Sequence, residues 1–168
     1  MKCAECGVDH PEEELELSCR RPDEIAAMDS ELRARIVKED DDLAVIDGKR
    51  FFVRALLPIP VNGRADPYNI GLWVEVAQEA FTKVLDLWTE DDQASEPPFK
   101  ARLANSIPTV PETLNLEALM QLSGPKTRPD VFVVNGSHPL GRQQRDGISV
   151  HRITEYSAVF APALTAGR

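Results

Sequence analysis

The sequence predicts an α+β fold: an antiparallel sheet of about five strands packed with helices, preceded by a small zinc-knuckle-like N-terminal head. Three observations lead there. Apolar segments of strand length, several alternating with period two, follow one another across short turns between residues 43 and 136. One clear amphipathic helix interrupts them, and further helical patterns sit towards the two ends. All 3 cysteines stand at or before Cys19.

The head spans residues 1–20 and the α+β domain residues 21–168. Pro22 opens a helical region, and Asp29 or Ser30 can cap a short helix whose Leu32 and Ile36 share a face. "KEDDD" at 38–42 reads as a solvated turn. "LAVID" (43–47) and "KRFFVRALLPIPV" (49–61) flank Asp47-Gly48, a pair that favours a tight hairpin. In the second run Phe52, Arg54 and Leu56 fall on one face, and Phe51, Val53 and Ala55 on the other. Pro58 and Pro60 suit an edge or a strand end, because neither donates to a ladder. "IGLWVEVA" (70–77) is a third strand, with Leu72, Val74 and Val76 opposite Trp73 and Glu75.

"AQEAFTKVLDLW" (77–88) is the clearest helix, with Phe81, Val84, Leu85 and Trp88 as its apolar stripe and a Glu79–Lys83 pair one turn apart. "FKARLANSI" (99–107) and "LNLEALMQL" (114–122) read as strands, the second also compatible with a helix. "DVFVVNG" (130–136) is a β-branched strand, and Ser149 caps a last helix carrying Val150, Ile153, Ser157 and Phe160. The expected core is Phe52, Leu56, Leu72, Val74, Phe81, Leu85 and Val133, with Tyr68, Trp73 and Trp88 in or near it.

At 168 residues the chain is long enough to bury a core without disulfides, and 42% apolar with 28% charged residues places it among soluble globular proteins. Its apolar runs are far too short to cross a bilayer, and no signal peptide is apparent at the start, so no membrane association is expected. With an odd number of cysteines, this points to a reducing cytoplasm. A net charge of −9 disfavours nucleic acid as a partner. It suits either plain solubility or an acidic face, drawn from Glu12, Glu13, Glu14, Asp40, Asp41 and Asp42, that meets a basic protein partner.

The order of several motifs resembles a bacterial family, the domain of unknown function 2199. The matching stretches are "CAECGVDH" at the start, "FFVRALLPIP" at 51–60, "GLWVEV" at 71–76, "PPF" at 97–99, "LANSIPTVPETLNL" at 103–116 and "HPLGRQQRDGI" at 138–148. Family members often carry a further cysteine shortly before the first strand, near the position of Leu43 here. The resemblance implies a fold grouping and no particular activity.

In "CAECGVDH" the tight turn between Cys3 and Cys6 lets both sulfurs reach one ion, and Gly7 suits that turn. His10 and Cys19 can supply the other half of a structural zinc site, which would leave no open position for catalysis. The competing readings are reduced thiols beside a surface histidine, or a redox pair; the latter normally lies between a strand and a helix.

His138 can act as a general base oriented by Asp146 or Glu155, or hold its loop by side-chain hydrogen bonds ahead of Pro139. Arg142, Gln144 and Arg145 can hold an anion, or the arginines can cover acidic neighbours. No glycine-rich phosphate loop, H-E-x-x-H or G-x-S-x-G occurs. The expected function is therefore a small non-catalytic interaction protein, in one form an immunity protein masking a toxin. The alternative is a hydrolase-like enzyme acting around His138.

Overall fold

The structure is a computed structural model describing residues 15–166, with side chains through Val159. The helices α1 (Asp23–Ala26) and α2 (Ser30–Ile36) precede the strands β1 (Val37–Glu39), β2 (Leu43–Ile46), β3 (Arg50–Ile59) and β4 (Tyr68–Val76). Next come α3 (Gln78–Asp86), a 3₁₀ turn (Gln93–Ser95), β5 (Phe99–Leu103), β6 (Glu117–Gln121) and β7 (Asp130–Val133). The helices α4 (Pro139–Asp146) and α5 (Val150–Ala166) follow.

Each strand pairs antiparallel with the next, and β7 returns parallel to β3 through Leu56 and Asp130. Among the described residues the sheet is thus mixed and has seven strands, of which β3 to β7 close a small barrel, in place of the wholly antiparallel sheet of about five strands that the sequence predicts. The length of β3 explains this. Its first half takes β2 on one edge and its second half takes β7 on that same edge. A row across the sheet runs Phe51, Val76, Ala101, Ala118, Val133. The β7–β3 register then carries it back to Ile59, beyond its starting point. That stagger is what a closed barrel of tilted strands requires.

The barrel interior holds Val53, Ala55, Leu57, Ile59, Ile70, Leu72, Val74, Leu103, Met120 and Val131, all fully buried. Helix α3 covers one end with Ala80, Phe81 and Val84, the Phe81 ring lying 5.1 Å from that of Phe51. Leu140 of α4 and Ile153 and Tyr156 of α5 cover the other, with Tyr156 stacked on Tyr68 at 5.7 Å. A second apolar layer lies on the outer face of β3 and β4, where Phe52 and Trp73 pack with Ala44, Ile46, Ala104 and Ile25 of α1.

The expected core therefore needs correction. Leu72, Val74 and Phe81 are buried, and Phe52 is buried in the second layer. Leu56 and Val133 are only half-buried. Both faces of β3 are apolar, so alternation alone does not choose which one enters the barrel. On α3 the buried stripe is Ala80, Phe81 and Val84, leaving Leu85 48% and Trp88 39% exposed. The helix ends at Asp86, so Trp88 lies beyond the face that packs.

Local signals held where side chains bond their own neighbourhood. Asp29 caps α2 by accepting from the Leu32 N–H at 2.8 Å, and Ser149 accepts from the Arg152 N–H at 3.3 Å. Asp47 and Gly48 both have positive φ, 53° and 65°, as the tight hairpin turn demands. Elsewhere the outcome differs. Lys38 and Glu39 join β1, leaving Asp40–Asp42 as the turn. The strand expected over 99–107 stops at Leu103 and that at 130–136 at Val133, while the segment 114–122 is a strand as expected, though only over Glu117–Gln121. Lys83 pairs with Glu96 at 3.5 Å, across to the loop.

Candidate functional site

Within the stretch "HPLGRQQRDG", Pro139–Asp146 form α4, a helix that the sequence pattern does not predict. His138 is its N-cap. The ring Nδ1 accepts from the Leu140 N–H at 3.1 Å, which leaves Nε2 to donate to the Glu112 carbonyl at 3.1 Å. Pro139 occupies the first helical position, where its missing N–H costs nothing. At Gly141 an added Cβ would stand 2.2 Å from the Asn135 carbonyl oxygen, so only glycine lets α4 lie this close to the chain after β7.

Gln144 closes the barrel seam. Its Nε2 donates to the carbonyls of Pro58 on β3 (3.1 Å) and Val131 on β7 (2.8 Å), and its Oε1 accepts from the Val133 N–H at 2.8 Å. It thus bridges two strands where Pro58 has no N–H to offer. Arg145 bonds Asp146 through two nitrogens at 2.9 Å and the Gly136 carbonyl at 3.1 Å. That bond holds the Asp146 carboxyl below its usual range against the opposing effect of burial, with the charges of Arg145 and Arg142 adding to it. Arg142 is exposed.

The structure thus brings His138, Arg142, Gln144 and Arg145 onto one helix, with His138 and Gln144 both engaged by main chain. Neither carboxylate considered as an orienter bonds His138 among the described residues. Asp146 is held by Arg145, and Glu155 by Arg152 at 2.6 Å and His151 at 3.1 Å.

Opposite α4 lies the loop 104–116, in which Thr109, Glu112 and Asn115 have φ values of 69°, 56° and 66°. For a β-branched residue such as Thr109 this is a strained conformation. Arg152 donates to Thr109 Oγ1 at 2.9 Å and lies 4.5 Å over the Tyr156 ring. Tyr156 in turn donates to Gln143 at 2.6 Å. Buried Asn105 accepts from the Trp73 N–H at 2.8 Å and donates to the Arg21 carbonyl at 2.8 Å and to Asp23 at 2.9 Å. The two family-like stretches are therefore one bonded unit, and their polar residues hold backbone in place.

Of the proposed metal ligands, Cys3, Cys6 and His10 lie outside the described residues. Among the described residues no group of three His, Cys, Asp or Glu is placed to hold a metal ion. Cys19 runs beside β4, its N–H bonding the Gly71 carbonyl at 2.7 Å and its carbonyl accepting from the Trp73 indole at 3.2 Å. Its side chain packs half-buried against the second apolar layer. Burial first, and then the charge of Asp23, push the thiol up to about 11. Leu17, two residues earlier, is fully buried in the main core.

The acidic residues divide. Glu12, Glu13 and Glu14 lie outside the described residues. Asp40 accepts from the N–H groups of Asp42 and Leu43 at 2.8 Å, and Asp42 pairs with Arg128 at 3.1 Å, so this turn is partly committed to itself. The end of α3 differs. Leu85 and Trp88 are exposed three residues apart, next in the chain to exposed Asp86, Glu90, Asp91 and Asp92, and Trp88 also borders a groove with Arg54, Lys126 and Arg128. None of those four carboxylates is in an ion pair among the described residues. The buried Gln93 side chain donates to the carbonyls of Leu87 (3.0 Å), Trp88 (3.4 Å) and Glu90 (3.0 Å), fixing the turn that presents this knob. The sequence reading placed Leu85 and Trp88 inside and so missed it.

No helix among the described residues is long and apolar enough to cross a membrane. No curated protein and no solved structure matches the chain. A family model described as an uncharacterized protein conserved in bacteria matches residues 2–148, which takes in the cysteine-bearing stretch, the whole barrel and α4. By that match the chain belongs to the bacterial DUF2199 family.

Proposed function

We propose that this protein is a non-catalytic, cytoplasmic protein-binding protein that meets a basic partner through the knob at the end of α3. The carrying observation is the exposure of Leu85 and Trp88, 48% and 39%, beside a chain segment with four exposed carboxylates that form no ion pair among the described residues. Tryptophan is the residue type most often responsible for interface energy, and surrounding charge steers the partner and excludes others. The Gln93 clamp holds the knob in place before binding, which lowers the ordering cost of association. The hydrogen bonds of His138 support the non-catalytic part, since a general base needs a free ring nitrogen directed at its substrate. Masking of a cationic toxin is one concrete form of this role.

A structural zinc at Cys3, Cys6, His10 and Cys19 belongs to the same proposal. Cys19 is the described member of this set, and its thiol, pushed up to about 11 by burial and then by Asp23, would ionise there only with a cation such as zinc alongside. When bound, zinc would supply a cross-link between the head and the edge of β4.

The test is site-specific photo-crosslinking in bacterial cells. A crosslinking residue at Thr89, which is exposed beside Trp88, should trap a basic protein, and one at Thr154 on α5 should not. Equal trapping at both positions, or trapping that survives replacement of Asp86, Glu90, Asp91 and Asp92 by lysine, refutes the reading.

A further inference from the structure

A cleft of about 690 Å³ lies along β4, β5 and β6, bounded by the β2–β3 turn on one side and by the chain leaving β7 on the other. It reaches the start of α3 at Ala77 and Gln78, but its lining includes neither Leu85 and Trp88 at that helix's far end nor any residue of α4. Its walls carry four cations, Lys49, Arg50, Lys100 and Arg102, against two carboxylates, Glu75 and Glu117. Arg50 is already taken: it bonds Glu75 through two nitrogens at 2.9 and 3.1 Å and pairs with Glu24. Lys49, Lys100 and Arg102 form no ion pair among the described residues. Three cations outside any such ion pair thus line one cleft in a chain whose net charge is −9, with Arg102 in register between Glu75 and Glu117.

The rest of the lining is mainly apolar, with Leu119 and Val134 projecting on the same side of the sheet as Lys100 and Arg102. The volume is that of a small-molecule site, and polar groups at a few points on apolar walls are the usual make-up of one. The wider acidic surface repels an extended polyanion, whereas local cations within a Debye length attract a single small anion.

We propose that this cleft binds a small amphipathic anion, a negatively charged head held by Lys100, Arg102 and Lys49 with an aromatic or alkyl body against Leu119 and Val134. The Arg50–Glu75–Glu24 cluster is a fixed wall that orients the ligand without consuming its charge. The site is independent of the partner surface on α3.

The full chain is titrated with 1-anilinonaphthalene-8-sulfonate and, in parallel, with the uncharged N-phenyl-1-naphthylamine, while backbone amide resonances are followed. The anion should saturate one site, with shifts concentrated at Lys49–Phe51, Lys100–Arg102 and Glu117–Leu119, and the neutral analogue should bind at least about tenfold more weakly. Lys100→Gln with Arg102→Gln should weaken the anion about tenfold and leave the neutral probe unchanged. Lys49→Gln, which sits in a turn and leaves the sheet untouched, should act in the same direction. Equal affinity for both probes, shifts centred on Leu85 and Trp88, wild-type affinity in the folded variants, or no saturable binding would each overturn the proposal.

Discussion

Replacing Gln144 by leucine keeps the side-chain volume and removes every hydrogen bond it makes. Three main-chain groups then lose their partner: the Pro58 and Val131 carbonyls and the Val133 N–H. A buried polar group left unmatched costs about 1–3 kcal/mol. Gln144 is half-buried, so water reaches part of the seam, and the expected loss is about 2–4 kcal/mol in total. Urea unfolding reads this as a midpoint lowered by about 1–2 M, with the slope unchanged. Hydrogen exchange supplies the local check, since the Val133 amide should lose protection more than amides in the middle of β4. Gln144→Glu retains the acceptor and loses both donors, so it should be at least as damaging at neutral pH. A loss below about 0.5 kcal/mol, with Val133 exchange unaltered, would refute the claim that this side chain closes the barrel.

Gly141→Ala should destabilise the fold by about 1–3 kcal/mol in the same assay, because the clash is with the Asn135 main chain and no rotamer change relieves it; an unchanged midpoint would contradict the close approach. Burial raises the Asp130 carboxyl above its ordinary 3.8, so the folded state holds that proton more tightly and ionised Asp130 detracts from stability as pH rises through this window. Asp130→Asn should therefore be more stable than wild type at neutral pH, with the gap closing as pH falls below the ordinary value; a pH-independent gap would contradict this. Elemental analysis of protein prepared without chelator should find one zinc per chain, lost on Cys19→Ser, and a stoichiometry near zero would remove the proposed metal site.

The sequence made legible those features whose cause is local. Asp47-Gly48 specifies its turn through backbone conformation, and Asp29 and Ser149 cap helices within three residues of themselves. Barrel closure had no such cause, because β3 and β7 read alike whether or not they meet, and a parallel partner far along the chain leaves no turn signal. Helix α4 was hidden for two reasons. Its cap is a histidine, outside the usual Ser, Thr, Asp and Asn, and among its side chains only Leu140 is a buried apolar one, so no stripe shows.

The candidate site followed the same rule. The stretch that carries His138, Arg142, Gln144 and Arg145 stood out in the sequence, but neither its helix nor their use did, since their partners Glu112, Pro58 and Val131 lie on other elements. Buried amides such as Asn105 and Gln93 carry no pattern of their own. The α3 knob was misplaced because a helical stripe gives a direction without telling where the helix stops; it stops at Asp86.

The most direct measurement is the affinity of the cross-linked basic partner for three folded variants: His138→Ala, Trp88→Ala, and the charge reversal Asp91→Lys with Asp92→Lys. His138→Ala should bind like wild type once corrected for any loss of folded protein. Trp88→Ala should lose about 2 kcal/mol or more, mainly through faster dissociation. The charge reversal should slow association, and its effect should shrink as salt shortens the screening length to about 10 Å at 0.1 M. The opposite pattern, with the α3 variants silent and a turnover that falls about 10²-fold or more in His138→Ala, would contradict the account and place catalysis at the start of α4.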